Sequence, residues 1–172
     1  MPLHIQTPRF VIREFRPDDL DAYMALYDDE DVILHLPKRS KQENLDIYQG
    51  ALDDYAAGKS LGRWGIFNNH DGEYIGTCLL RQFYEQEGKV EIGYVLAKNF
   101  WGKGIASEMA QILVCYGFMH TDAKEIVAVT TLGNAGSQKV LLNAGLTRLP
   151  NFERDGEELA YFSIKRPESN WP

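Results

Sequence analysis

The chain has 172 residues, enough to bury a hydrophobic core, and 1–172 is read as one domain. Hydrophobic residues make up 44% and charged residues 25%, values of a globular protein that set aside a disordered or fibrous chain. A formal net charge of −7 argues against the basic surface that nucleic-acid binders present, and no apolar run reaches the roughly eighteen residues of a membrane span.

In chain order, Phe10 to Phe15 (FVIREF) predicts a first strand. Arg16-Pro17-Asp18-Asp19 opens a helix, because proline tolerates the first turn and aspartates suit its positive end. Leu20, Tyr23, Met24 and Tyr27 supply its apolar stripe. Asp28 to Asp31 reads as an acidic break and Val32 to Lys38, with His35 and Pro37, as a loop. Ser40 and Glu43 form a capping box that starts a second helix, which runs through Leu45, Tyr48, Leu52 and Tyr55 to about Ala57, with Gly58 as its stop.

Arg63 to Asn68 is a strand, Asn69 to Gly72 a hairpin turn, and Ile75 to Phe83 the returning strand. Glu85 to Gly88 turns into the next strand, where Val90, Ile92, Tyr94 and Leu96 alternate with Glu91, Gly93, Val95 and Ala97. A helix follows, with Ile105, Met109, Ile112, Leu113 and Tyr116 on one stripe. Glu125 to Thr131 is a near-continuous apolar strand that suits burial on both faces. Asn134 to Asn143 is a short helix stopped by Gly145. Leu146 to Glu153 and Leu159 to Lys165 close a final hairpin around Asp155-Gly156, and the tail Arg166 to Pro172 is expected to be loose.

The N-terminal MPLHIQTPRF lacks a basic-then-apolar signal pattern, so a cytoplasmic location is expected. Cys78 and Cys115 are two isolated thiols. They make neither a disulfide framework nor a metal cluster, and no metal is expected.

The stretch with chemical content is WGKGIA, Trp101 to Ala106, between a strand and a helix. Gly102 and Gly104 allow φ > 0 and close approach of a ligand to the main chain. The first N–H groups of the following helix lack partners within it and lie at its positive end, which favours a phosphate. Lys103 adds a cation. The turn matches neither the phosphate-loop pattern nor GxGxxG, since Ser107 stands where a third glycine belongs. A tight turn with no ligand remains the competing reading of these residues alone.

WGKGIA followed by SEMAQILVCYGF resembles the acetyl-CoA motif [QR]xxGx[GA] of the GNAT superfamily of N-acetyltransferases. Gly104 and Ala106 match, and Trp101 stands where Gln or Arg is usual. The Trp-Gly-Lys-Gly form resembles the RimJ/RimL-like branch of ribosomal-protein N-terminal acetyltransferases. TPRFVIREFRPDDLDAY and NAGSQKVLLNAGL resemble further segments of the same family, in the same order. The resemblance implies an α/β (α+β) acyl-CoA N-acyltransferase fold. Its sheet would be mixed, mostly antiparallel and twisted, with about seven strands, helices on both faces, and a splayed parallel pair at the cofactor slot.

It further implies that acetyl-CoA is the acetyl donor. The pantetheine arm would pair with the main chain of Val95 and Leu96. The diphosphate would lie on Gly102, Lys103, Gly104, Ile105, Ala106 and Ser107, and Asn134 and Ser137 would contact the cofactor arm. Ser137 or Tyr161 is the candidate acid for the departing thiolate, whose pKa is about 8.5 on the cysteine scale. Glu91 is the candidate base for the acceptor amine, and His35 a second one. Plainer roles stay open beside these: Asn134 as a helix N-cap, Tyr161 as a half-buried sheet aromatic, and Glu91 as a salt-bridged strand residue.

The function expected is direct acetyl transfer to a primary amine, with a protein N-terminal α-amine as acceptor. A small amine acceptor (polyamine, amino acid or antibiotic) is the alternative, and a non-catalytic acyl-CoA-binding module the second. The partners expected are acetyl-CoA and the acceptor, with no nucleic acid and no membrane, in a monomer or homodimer.

Overall fold

A computed structural model describes residues 3–168. The strands are β1 (His4–Gln6), β2 (Phe10–Arg13), β3 (Gly62–Asn68), β4 (Tyr74–Gln82), β5 (Lys89–Leu96), β6 (Glu125–Thr131), β7 (Thr147–Arg154) and β8 (Glu157–Lys165). The helices are α1 (Leu20–Leu26), α2 (Glu30–Ile33), α3 (Lys41–Ala56), α4 (Ile105–His120) and α5 (Ala135–Asn143). Among the described residues the sheet has eight strands in the order β1-β2-β3-β4-β5-β6-β8-β7. β1–β2, β2–β3, β6–β8 and β8–β7 pair antiparallel and β5–β6 parallel, the mixed α/β sheet expected. No described helix is long and apolar enough to cross a membrane.

Three details differ from the sequence reading. The eighth strand is β1, which adds to the sheet edge by pairing His4 with Arg13 and Gln6 with Val11. A three-residue edge strand takes its form from its neighbour and has too little length to show a period. Within the presumed acidic break and loop lies α2, whose N-cap Asp29 accepts hydrogen bonds from the N–H groups of Asp31 and Val32. The tail is anchored where it begins: Arg166 Nε donates to Ala123 O at 2.9 Å and Nη2 to Thr121 O at 2.6 Å. Residues 169–172 of that tail lie outside the described residues.

The chain divides into two compact units, Met1–Leu79 with Tyr94–Ile105, and Leu80–Gly93 with Ala106–Pro172. In the first, an aromatic cluster of Phe15, Tyr23, Tyr48 and Phe67 is buried with Ala51, and Tyr27, Tyr55 and Tyr74 pack against it. Aromatics dominate because each buries a large apolar area. Tyr48 and Tyr55 donate to the carbonyls of Arg16 and Arg63. The capping box holds as read: Ser40 Oγ accepts from Glu43 N at 3.2 Å, and Glu43 Oε2 from Ser40 N at 2.6 Å. Arg13 clasps Asp19 at 2.7 Å, which joins the end of β2 to the start of α1.

In the second unit, α4 lies close on the sheet. A Cβ placed on Gly117 would stand 2.9 Å from Ile126 Cδ1 and 3.5 Å from Leu80 Cδ2. Alternation puts Val127 on the other face, where it packs with Phe83 and Tyr161, and Phe152 joins them.

Cys78, on β4, is fully buried, and burial pushes its thiol from 9.0 up to about 12. The unfolded chain therefore loses this proton at lower pH than the folded protein does. The stability due to the neutral buried thiol is complete below pH 9 and is lost as pH rises toward 12. We expect unfolding free energy to fall between pH 9 and 11 in urea titrations. In C78A the fall should be shallower, by up to about 1.4 kcal/mol per pH unit. Equal slopes in the two proteins would contradict the assignment.

Candidate active site

The parallel register of β5 and β6 covers Lys89↔Glu125, Val90↔Ile126 and Glu91↔Val127. β5 then continues to Leu96, and a short 3-10 turn at Lys98–Phe100 leads into the glycine turn. Gly102 and Gly104 have φ of 70° and 75°, in the left-handed region that side chains with a Cβ rarely adopt. Alternation of left-handed glycines with ordinary residues turns successive N–H groups toward one side and makes an anion-binding concavity. α4 starts at Ile105, so the N–H groups of its first turn have no acceptor within the helix. Trp101 to Gly104 are exposed, Ile105 is buried, and Ala106 and Ser107 are half-buried in the first turn of α4.

Side chains of the first unit fasten this turn. Trp101 Nε1 donates to Leu96 O at 2.8 Å, and Arg9 Nη1 donates to Lys103 O at 2.6 Å. Lys103 Nζ stands 5.4 Å over the Phe100 ring. The Leu96 carbonyl, expected to serve the cofactor arm, thus already accepts a hydrogen bond from the protein itself. Ala97 N donates to Ile75 O at 2.8 Å, so this peptide is held at both its oxygen and its nitrogen.

Gly76 sets the approach of β4 to the end of β5. A Cβ there would lie 2.2 Å from Val95 O and 2.9 Å from Leu96 Cα, both main-chain atoms that cannot rotate aside. Gly76 was absent from the expected site. A glycine inside a strand does signal close backbone approach, so the clue was present in TyrIleGlyThr, residues 74–77.

Glu91, Asn134, Ser137 and Tyr161 belong to the second unit, and His35 to the first. Glu91 is only 5% exposed. Its Oε1 accepts from Arg81 Nη2 at 2.9 Å and Arg154 Nη1 at 3.2 Å, and its Oε2 from Arg81 Nε at 3.1 Å and Arg154 Nη2 at 3.0 Å. Arg154 Nε also bonds Glu85 at 2.7 Å. Both oxygens are filled by guanidinium donors, the geometry of a buried ion network.

Tyr161 accepts from Lys89 Nζ at 3.3 Å and stacks in the Phe83–Phe152 cluster. Lys89 also pairs with Glu125 at 3.1 Å. Burial opposes the Lys89 ammonium, but these bonds to Glu125 and Tyr161 outweigh it and hold its pKa above the usual lysine value. Asn134 is the N-cap of α5, its Oδ1 accepting from Ser137 N at 3.1 Å. This brings Asn134 and Ser137 together at one helix start, both half-buried. The structure brings Val95, Leu96 and the turn together in one unit. It gives Glu91 and Tyr161 separate partners in the other.

Arg81, Arg154 and Lys89 carried no signal as partners, because a lone basic residue in a strand does not announce which carboxylate it meets. His35 is half-buried in the segment that follows α2. Among the described residues no cluster of His, Cys, Asp and Glu could hold a metal ion.

The domain family described as acetyltransferase (GNAT) matches residues 9–147. A protein of Bacillus licheniformis described as the uncharacterized N-acetyltransferase p20 is 31% identical over 140 residues, 80% of this chain and 78% of its own. A GNAT-family acetyltransferase structure from Bacillus anthracis superposes with a TM-score of 0.78 at 23% identity, over 95% of this chain and 98% of that one. RimL, a ribosomal L7/L12 alpha-N-protein acetyltransferase solved with coenzyme A, superposes with a TM-score of 0.78 at 19% identity, over 95% and 98%. At those identities the two structures speak to the fold.

Replacing Gly76 by alanine must push the β5 main chain away. G76A is expected to lose about 1–3 kcal/mol of stability in denaturant titrations, the usual scale of overpacking. CoA affinity measured by calorimetry should fall with it. Wild-type values for both would show that β4 and β5 do not depend on this close approach.

Proposed function

The chain belongs to the GNAT acetyltransferase family, and on that premise we propose that it transfers the acetyl group of acetyl-CoA to a primary amine by direct attack in a ternary complex. The observation that carries this reading is the pair of left-handed glycines, Gly102 and Gly104, running straight into the N-terminus of α4. That arrangement fits a diphosphate, for which oriented amides and the helix dipole supply donors and positive potential. Gly102 to Ser107 would hold the diphosphate, with Lys103 as the accompanying cation. Val95, Leu96, Asn134 and Ser137 would hold the arm. Bound acetyl-CoA supplies the acetyl group as a thioester. Residues 1–172 act as one catalytic domain in this reading, in keeping with a family match over residues 9–147.

The chain's own groups then have three tasks. The main-chain N–H near Val95 polarises the thioester carbonyl where negative charge develops. Ser137 hydrogen-bonds or protonates the departing thiolate. Tyr161 is the weaker candidate, since its hydroxyl is engaged by Lys89. Proton removal from the amine falls to Glu91 through water. This is the assignment that the geometry strains most, because Arg81 and Arg154 already fill both carboxylate oxygens.

The acceptor proposed is the α-amine of a protein N-terminus, in the manner of a RimJ/RimL-like enzyme. The Trp-Gly-Lys-Gly form of the turn and the fold shared with RimL support it. An α-amine has a pKa of about 8 against about 10.4 for a lysine-type amine, so less proton removal is needed at neutral pH.

Thiol release from acetyl-CoA across a panel of N-terminal peptides and small amines tests the acceptor, and an enzyme active only on small amines would overturn it. E91Q tests the base. Loss of the base should lower kcat by about 10²–10⁴-fold with CoA affinity retained, beyond the fall in melting temperature that unpairing Arg81 and Arg154 brings. A lowered melting temperature with kcat retained assigns Glu91 to the ion network alone.

A further inference from the structure

Two side-chain hydrogen bonds tie the glycine turn to other parts of the first unit. Arg9, just before β2, donates from Nη1 to Lys103 O at 2.6 Å. Its Nη2 lies 3.7 Å from where a Cβ of Gly104 would be. Trp101 donates from Nε1 to Leu96 O at 2.8 Å. The Lys103 carbonyl belongs to the peptide that carries the Gly104 N–H, and the Leu96 carbonyl to the peptide at the end of β5. A peptide unit is planar and trans, so its C=O and the following N–H point in opposite directions on one rigid plate. Fixing Lys103 O from behind therefore aims the N–H of Gly104 forward. Fixing Leu96 O does not free an N–H for a ligand, because Ala97 N on the same peptide donates to Ile75 O at 2.8 Å. The Trp101 bond thus ties the first residue of the turn back to a peptide already locked onto β4.

A turn with glycines at φ of 70° and 75° would otherwise sample widely when no ligand is bound, because glycine loses more freedom on ordering than any other residue. Ordering it would then weaken binding. We propose that Arg9 and Trp101 are positioning residues that hold the turn in its phosphate-receiving shape before acetyl-CoA arrives. The inference rests on the reading of this turn as the diphosphate cradle. It also gives a task to the tryptophan that replaces the usual Gln or Arg: the indole N–H closes the turn onto the end of β5. The Arg9 bond is charge-assisted and short, which makes it the stronger of the two.

The test uses the full chain with CoA as probe. The variants are R9Q, R9K, W101F and G104V. The readouts are dissociation constant and binding entropy by calorimetry, melting temperature, and hydrogen exchange of the Gly104 amide in the free protein. R9Q and W101F should each raise the CoA dissociation constant roughly 3- to 10-fold, the worth of one hydrogen bond. The loss should appear in the entropy of binding, and Gly104 N–H should exchange faster before CoA is added. R9K should recover most of the affinity, because an ammonium can still donate to Lys103 O. G104V should abolish tight binding whatever the brace does.

Wild-type affinity in R9Q and W101F, with binding lost in G104V, overturns the brace and leaves the cradle standing. Wild-type affinity in G104V overturns the cradle itself. Affinity that falls with melting temperature in R9Q, without rescue by R9K and without faster exchange at Gly104, assigns Arg9 a general structural role and also overturns the proposal.

Discussion

The constraint on which the site depends is the left-handed backbone at Gly102 and Gly104. Any residue with a Cβ is disfavoured there, and without those two angles β5 could not pass so abruptly into α4. As the proposed cradle, the turn would offer a phosphate main-chain N–H donors, with Lys103 beside them. Donors of that kind would let a chain of net charge −7 take a polyanion. Neighbouring features serve the same end. Gly76 lets β4 lie against Val95 and Leu96, and the bonds from Trp101 and Arg9 fix the two shoulders of the turn.

The second unit spends its charges differently. Arg81, Glu91, Arg154 and Glu85 form a continuous network in which the least exposed member, Glu91, holds four guanidinium bonds. Lys89, Glu125, Ser163 and Tyr161 form another, with Ser163 Oγ 2.7 Å from Glu125. Removing one partner from a buried pair leaves an uncompensated charge, usually a matter of about 3–5 kcal/mol. That cost is a sufficient reason for a glutamate to be held at position 91 of β5 between Arg81 and Arg154.

The order of elements could be read from periodicity and punctuation because each signal is local. Ser40 and Glu43 cap α3, Gly58 at φ of 68° ends it, and Asn134 caps α5. The glycine turn was legible for the same reason. Features built from distant residues were not. β1 exists because β2 offers it an edge, and the Arg154–Glu91 bond spans 63 positions. The lock on Leu96 O lies between those cases. It is only five positions from Trp101, yet an indole N–H finds its acceptor through the shape of the turn rather than through any sequence period. The acceptor amine is the least legible feature, since it is read by surface shape and not by a spaced motif.

The most direct test of the cradle is an amide proton–nitrogen NMR titration with CoA and, separately, with pantetheine, which lacks the diphosphate. The account requires the Gly102 and Gly104 resonances to shift on addition of CoA and to stay in place with pantetheine. Tight CoA binding with both glycine resonances unmoved would contradict it.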